Sequence, residues 1–290
     1  MTTAICTQIK NSRRYIKEFV DHHLALGIDK VCLFEDYGSD SHKDIFKGYD
    51  KVEIKSLAEY GIPKATKTAG SQLELQQKFC RTEPYDWVLC IDDDEYLNFQ
   101  EGYDLEKFLS EFADYKGVWL GWRPLNANGH IKRPKGSLKE NYTREAPVPI
   151  DGGQYTNKKS FVNMNQKGNF TWTHHCVDGG VNTDFTTNYN SYPIHDKAYL
   201  DHYFTKSLED WMDRLVFRGN MMNANRNMDK FFQQNPDLIK HEDEVVEFIR
   251  WNYNLPDITW ISKKKKIISG GNVKRLAELK DKYLNNKYHG

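Results

Sequence analysis

WVLCIDDDEYL, residues 87–97, drives five apolar residues straight into four consecutive acids, Asp92, Asp93, Asp94 and Glu95. The apolar run shows no alternation. It reads as a central strand covered by helices on both faces. Adjoining carboxylates repel one another, so this cluster needs either a compensating cation or free access to water.

The segments upstream give the run its context. AICTQI (4–9) is strand-like, and RRYIKEFVDHHLALG (13–27) carries apolar residues at mostly helical spacing with Gly27 as a stop. KVCLFED (30–36) and KVEIK (51–55) read as strands, and 69–80 reads as a helix. Strands alternating with helices predict an α/β protein with a mostly parallel central sheet flanked by helices. Such sheets bind ligands at the carboxyl ends of their strands. Two polar turns fall at such ends, EDYGSDS (35–41) and DDDEY (92–96).

Downstream the pattern is less regular. DLEKFLSEFADY (104–115) predicts a helix and GVWLGWRPL (117–125) a strand, while 126–160 reads as a long loop. SLEDWMDRLVFRG (207–219) predicts a helix, with Ser207 and Asp210 as its capping pair and Gly219 as its terminator. A further helix is expected over 243–253. No repeat or clear linker appears. The expected organisation is one domain, 1–290, with a nucleotide-binding half over about 1–100 and an elaborated acceptor-binding and helical part over about 101–290.

Composition narrows the class. Apolar residues make up 39% and charged residues 28%, with 41 basic against 41 acidic side chains, so bulk charge gives no case for nucleic acid. The five cysteines show no disulfide spacing and read as small core side chains in a reducing compartment. No basic leader or long apolar run is visible, so a cytoplasmic location is expected. Lys263–Lys266 could touch anionic lipid peripherally; otherwise they form a solvated turn.

If the strand continues through Asp92, its two-residue period puts Asp92 and Asp94 on one face. Hard oxygen ligands in that position suit Mg²⁺ or Mn²⁺, and a metal held by few carboxylates usually carries substrate phosphate on its open side. Neither G-x-G-x-x-G nor a P-loop occurs, which disfavours dinucleotide enzymes and P-loop nucleotidases.

The combination resembles the GT-A class of nucleotide-sugar glycosyltransferases, in particular its family-2-like and family-92-like group. KNSRRYIKEFVDHHLALGIDKVCLFEDYGSDS (10–41), YDWVLCIDDDEYL (85–97) and LDHYFTKSLEDWMDRLVFRG (200–219) carry the resemblance. It implies a GT-A-like fold and a metal-dependent, inverting transfer of a hexose from a nucleotide sugar, UDP-linked by expectation. The acceptor would be a hydroxyl of a glycan or lipid-linked glycan, as in polysaccharide, lipopolysaccharide or capsule biosynthesis. Thr7 and Lys10 would border the nucleotide, and Glu35 and Asp36 would lie near its base or ribose. Asp92 would face ribose and metal, and Asp94 would ligate Mn²⁺ or Mg²⁺. A second-half histidine often completes such a site. His202 in HYFTKS is the first choice, with His174, His175 and His195 as alternatives.

Direct attack by a hydroxyl needs a base. Asp178 in its glycine-flanked turn is the candidate, with Glu145 and Asp184 as alternatives. Lys206, Lys158 or Lys159 could assist the leaving diphosphate, and Trp119, Trp122 and Trp172 could stack on sugar faces. Two other readings stay open: a nucleotidyltransferase acting on sugar phosphates, and a non-catalytic glycan-binding module.

Overall fold

A computed structural model describes residues 1–64, 68–147, 158–172, 175–176, 196–216 and 228–253. The predicted first strand is β1, Thr3–Ile9, followed by α1, Ile16–Ala25. Ile16, Phe19, Val20 and His23 form the buried stripe of α1 at helical spacing. Gly27, at φ +96°, takes the left-handed conformation that turns the chain out of the helix. Strands β2 (Lys30–Glu35) and β3 (Val52–Ser56), helix α2 (Thr68–Thr82) and strand β4 (Trp87–Cys90) follow, each within about two residues of its expected place.

The chain divides by its contacts into two compact units. The first is Met1–Pro124 with Asp151–His202, and the second is Leu125–Ile150 with Tyr203–Gly290. The first unit adds β5 (Glu95–Phe99), α3 (Leu105–Glu111), β6 (Gly117–Pro124), β7 (Lys158–Asn163) and β10 (Ala198–His202), with a small hairpin of β8 (Phe170–Trp172) and β9 (His175–Cys176). The order of its eight-stranded sheet is β3-β2-β1-β4-β7-β6-β10-β5.

The sheet is mixed, where the sequence predicts one that is mostly parallel. β3, β2, β1 and β4 run parallel, as do β6 and β10. β7 lies between β4 and β6 and runs against both, and β5 runs against β10. The strands up to Cys90 pair only in parallel; after Cys90 the antiparallel β7 and β5 enter, and β6 with β10 is the one further parallel pair among the described residues.

On one face, Ala4, Cys6, Cys32, Phe34, Val88 and Cys90 pack with Leu75, Phe79 and Cys80 of α2. The register places Cys32, Cys6 and Cys90 side by side across β2, β1 and β4. Cys6, Cys32, Cys80 and Cys90 are buried, and none of them forms a disulfide among the described residues. Burial pushes the Cys6 thiol well above its ordinary range and that of Cys32 up to about 12.

β5 ends the sheet, and α1 closes its outer side. The Leu97 N–H donates to His23 Nε2 at 3.2 Å, and His22 Nε2 donates to the Leu97 carbonyl at 2.6 Å. Since His23 Nε2 accepts, its Nδ1 carries the proton and donates to the Phe19 carbonyl at 2.7 Å. Two adjacent histidines therefore supply the hydrogen bonds that another strand would have given Leu97.

The second unit contains α4 (Leu138–Asn141), α5 (Leu208–Val216), α6 (Met228–Gln234), α7 (Pro236–Ile239) and α8 (Glu242–Tyr253). The Asp210 N–H donates to Ser207 Oγ at 3.0 Å, which is the predicted start of α5; Gly219 lies outside the described residues. Arg133 pairs with Asp210 at 2.6 Å and with Asp213 at 2.5 Å, and the Tyr253 hydroxyl donates to Asp213 at 2.8 Å. Burial acts to raise the Asp210 pKa, but the Arg133 and Lys206 charges and the Ser207 hydrogen bond outweigh it and hold the carboxyl below its ordinary value. Among the described residues no helix is long and apolar enough to cross a membrane.

Candidate active site

The acids at 92–95 do not continue β4. The strand ends at Cys90, and a turn closed by the Glu95 N–H on the Asp92 carbonyl at 3.1 Å leads directly into β5. The two-residue period therefore stops before Asp92, and the turn sets the direction of each acid. Glu95 Oε2 accepts from the Asp92 N–H at 2.9 Å, which locks the turn from inside.

Asp94 and His202 meet within the first unit. Both are buried, and His202 Nε2 lies 3.6 Å from Asp94 Oδ1. His202 ends β10, opposite Glu95 in the register, and its ring lies 4.2 Å from the Trp122 ring, centroid to centroid. On the other side of β10, Asp201 holds the Arg123 guanidinium through two hydrogen bonds of 2.5 and 2.9 Å and accepts from Asn98 at 3.0 Å. β10 is thereby fixed from two neighbouring strands, and His202 is fixed with it.

Asp92 is placed differently. Its Oδ1 accepts from Gln72 Nε2 at 2.7 Å, and its Oδ2 lies 3.1 Å from Lys159 Nζ. Lys159 is fully buried and also lies 3.6 Å from Glu95. It is the cation that the four acids call for. Burial works against its charge, yet Asp92 and Glu95 keep its pKa above the ordinary lysine value. Burial also drives the Glu95 pKa well above its ordinary value, and Lys159 offsets this only in part. Glu95 Oε1 has no hydrogen-bond partner among the described residues.

The turns after β1 and β2 sit at the same carboxyl edge as the acidic turn. Lys10 Nζ lies 3.3 Å from Asp36, whose other oxygen accepts from the Tyr37 N–H at 2.8 Å. Glu35 Oε1 accepts from the His42 N–H at 2.6 Å and from His42 Nδ1 at 3.1 Å. His42 Nε2 in turn accepts from the Ser12 N–H at 3.0 Å, so Glu35 ties the two turns together. Thr7 is fully buried on β1, and its hydroxyl has no hydrogen-bond partner among the described residues.

Glu145 and Lys206 lie in the second unit. Glu145 is exposed and forms an isolated antiparallel bridge with Leu125; Lys206 is half-buried at φ +53° just before α5. Asp178, Asp184, His174 and His195 lie outside the described residues, as do the side chains of His175 and Trp172. Lys158 lies over the Trp119 ring, 3.1 Å from its centroid. Sequence reasoning missed Gln72, the internal role of Lys159 and the Arg123–Asp201 pair. The one signal for Lys159 was its place two residues before the apolar Phe161 in KKSFV.

Asp94 and His202 suit a divalent ion: a hard carboxylate oxygen and an imidazole nitrogen, both buried and already adjacent. Among the described residues, no group of three or more His, Cys, Asp or Glu side chains is arranged to hold a metal. Protein ligands of this number leave room for substrate oxygens.

The profile of glycosyltransferase family 92 matches residues 1–243. The chain belongs to this family, and its fold is a mixed α/β one. A family 92 glycosyltransferase protein of Oryza sativa subsp. japonica is 21% identical over 150 residues, covering 50% of this chain and 25% of that protein. The chain thus spans about a quarter of the length of that curated relative. Among solved structures, S. aureus TarS 1–349 is 14% identical, with 92% of this chain and 76% of that one covered and a TM-score of 0.40. HddC from Yersinia pseudotuberculosis is 12% identical, with coverage of 73% and 97% and a TM-score of 0.38. Glucosyl-3-phosphoglycerate synthase from Mycobacterium tuberculosis, solved with Mn²⁺, UDP and phosphoglyceric acid, is 13% identical, with coverage of 42% and 43% and a TM-score of 0.29.

Proposed function

We propose that this chain transfers a hexose from a nucleotide sugar, with UDP as the expected carrier, to a hydroxyl of a glycan or lipid-linked glycan. The observation that carries the reading is the buried Asp94–His202 pair at the carboxyl edge of the sheet. Asp94 and His202 would hold Mn²⁺ or Mg²⁺. Bound there, the ion supplies positive charge for the leaving diphosphate. Asp92 faces the ribose side, and Thr7, Lys10, Glu35 and Asp36 border the nucleotide from the turns of β1 and β2. Lys206 is the candidate second cation for the diphosphate.

The transfer is a direct displacement. The acceptor oxygen forms a bond to the anomeric carbon as the bond from that carbon to the diphosphate oxygen breaks, and the configuration inverts. The hydroxyl proton goes to a carboxylate, with Asp178 as the first candidate and Glu145 as the alternative. In this reading the whole chain, 1–290, is one catalytic domain, with its nucleotide-binding part over about 1–100 and its acceptor part over about 101–290.

Calorimetric titration of UDP with Mn²⁺, then with EDTA, tests the reading beside Asp94→Ala. Binding is expected only with metal and with Asp94 intact. A folded protein that binds UDP, GDP, CMP and dTDP in neither condition would point to a glycan-binding module instead.

A further inference from the structure

Lys159 is a fully buried ammonium with a fixed place. Its strand, β7, runs between β4 and β6, and Lys159 stands opposite Leu120. Leu120 shares a face with Trp122, which stands opposite Leu200, and Leu200 shares a face with His202. His202 in turn stands opposite Glu95. The pleat therefore brings Lys159, His202 and Glu95 to one side of the sheet, at the end of β4 where the acidic turn lies. A buried ammonium gives up its hydration and persists only where acids are fixed around it. Here Asp92 and Glu95 are those acids, at 3.1 and 3.6 Å.

The same contacts divide the acidic turn into two parts. Asp94 faces an imidazole. Asp92 faces protein donors on both oxygens, Gln72 on one and Lys159 on the other. A divalent ion drawn to Asp92 would have to displace the ammonium or lie beside it, and like charges at that range repel strongly.

We propose that Lys159 is a built-in counter-ion that keeps Asp92 out of the metal's ligand set and so determines how tightly this chain binds a divalent cation. The inference rests on Asp94 and His202 as the metal site. Lys159 is then a positioning residue: it presets the turn without metal and leaves Asp94 and His202 as a weak site. The ion binds well only with the phosphate oxygens of the nucleotide, so metal and donor arrive together.

The test is calorimetric titration of Mn²⁺ alone into the full chain, with melting temperatures in EDTA as a check on folding. Lys159→Met is expected to bind Mn²⁺ tighter by about tenfold or more, because it removes a nearby positive charge and frees Asp92. Adding Asp92→Asn to Lys159→Met should abolish that gain, and Lys159→Arg should bind as the parent does. Asp92→Asn alone leaves the Lys159 ammonium uncompensated and should weaken Mn²⁺ binding, but by less than Asp94→Asn does, because Asp92 is not a ligand. Lys159→Met that binds Mn²⁺ no tighter than the parent, while Asp94→Asn abolishes binding, overturns the inference and leaves the metal site standing. So does Asp92→Asn if it lowers affinity as far as Asp94→Asn does. Mn²⁺ binding that is indifferent to Asp94→Asn and His202→Ala in both the parent and the Lys159→Met background overturns the metal site itself and the inference with it.

Discussion

At the residue scale, Asp94 and His202 differ from their neighbours in having each other as buried partners. His202→Ala should weaken Mn²⁺-dependent UDP binding by about 10- to 100-fold. Calorimetry checks this, and unchanged affinity would move the nitrogen ligand elsewhere. Asp210 gives a prediction about pH. Its folded pKa lies below the ordinary carboxyl value of 3.8, so the stability it contributes is fully present above 3.8 and is lost as pH falls through the lower folded value. Asp210→Asn should remove this part of the acid limb and cost about 3 kcal/mol at neutral pH, because Arg133 loses a buried partner. Urea melts between pH 2 and 7 would show both effects. The four acids were legible as a place of chemistry because charge at the end of a buried strand is costly. Their division of labour was not, because Lys159 and Gln72 come from distant segments that only the folded sheet brings together.

At the element scale, the first half of the chain was readable and the second half less so. Up to Cys90, each strand is an apolar or an alternating run and each helix a periodic one, so period alone locates them. β7 begins with two lysines, and β10, AYLDH, ends with Asp201 and His202; polar residues at such positions read as loop. The strands accommodate them because Lys159 meets Asp92 and Glu95, Asp201 meets Arg123, and His202 meets Asp94. β5 was hidden by the expectation that β4 ran on into the acids. The turn after β7 allows a sharp test. A Cβ on Gly168 would lie 2.2 Å from the Lys116 carbonyl oxygen and 2.8 Å from that of Asn163. Backbone cannot give way as a side chain can, so Gly168→Ala should cost about 1–3 kcal/mol. A denaturant midpoint that does not move would show that the turn yields.

At the scale of the whole molecule, the cysteines report on opening. Cys6, Cys32, Cys80 and Cys90 lie within the sheet-and-α2 core, and burial keeps at least Cys6 and Cys32 from ionising. In native buffer these four thiols should resist a thiol reagent for hours and then react together once denaturant opens the sheet, at a rate that tracks global unfolding. Early reaction of one of them, followed by mass spectrometry, would reveal a local opening the fold does not predict. The histidine pair on α1 has a consequence at this scale as well. The open side of a terminal strand is where a foreign chain can add itself and where fibres begin. At Leu97 the docking groups are already spent on His22 and His23. His22→Ala with His23→Ala would reopen that seam, and the chain would then polymerise as its concentration rises.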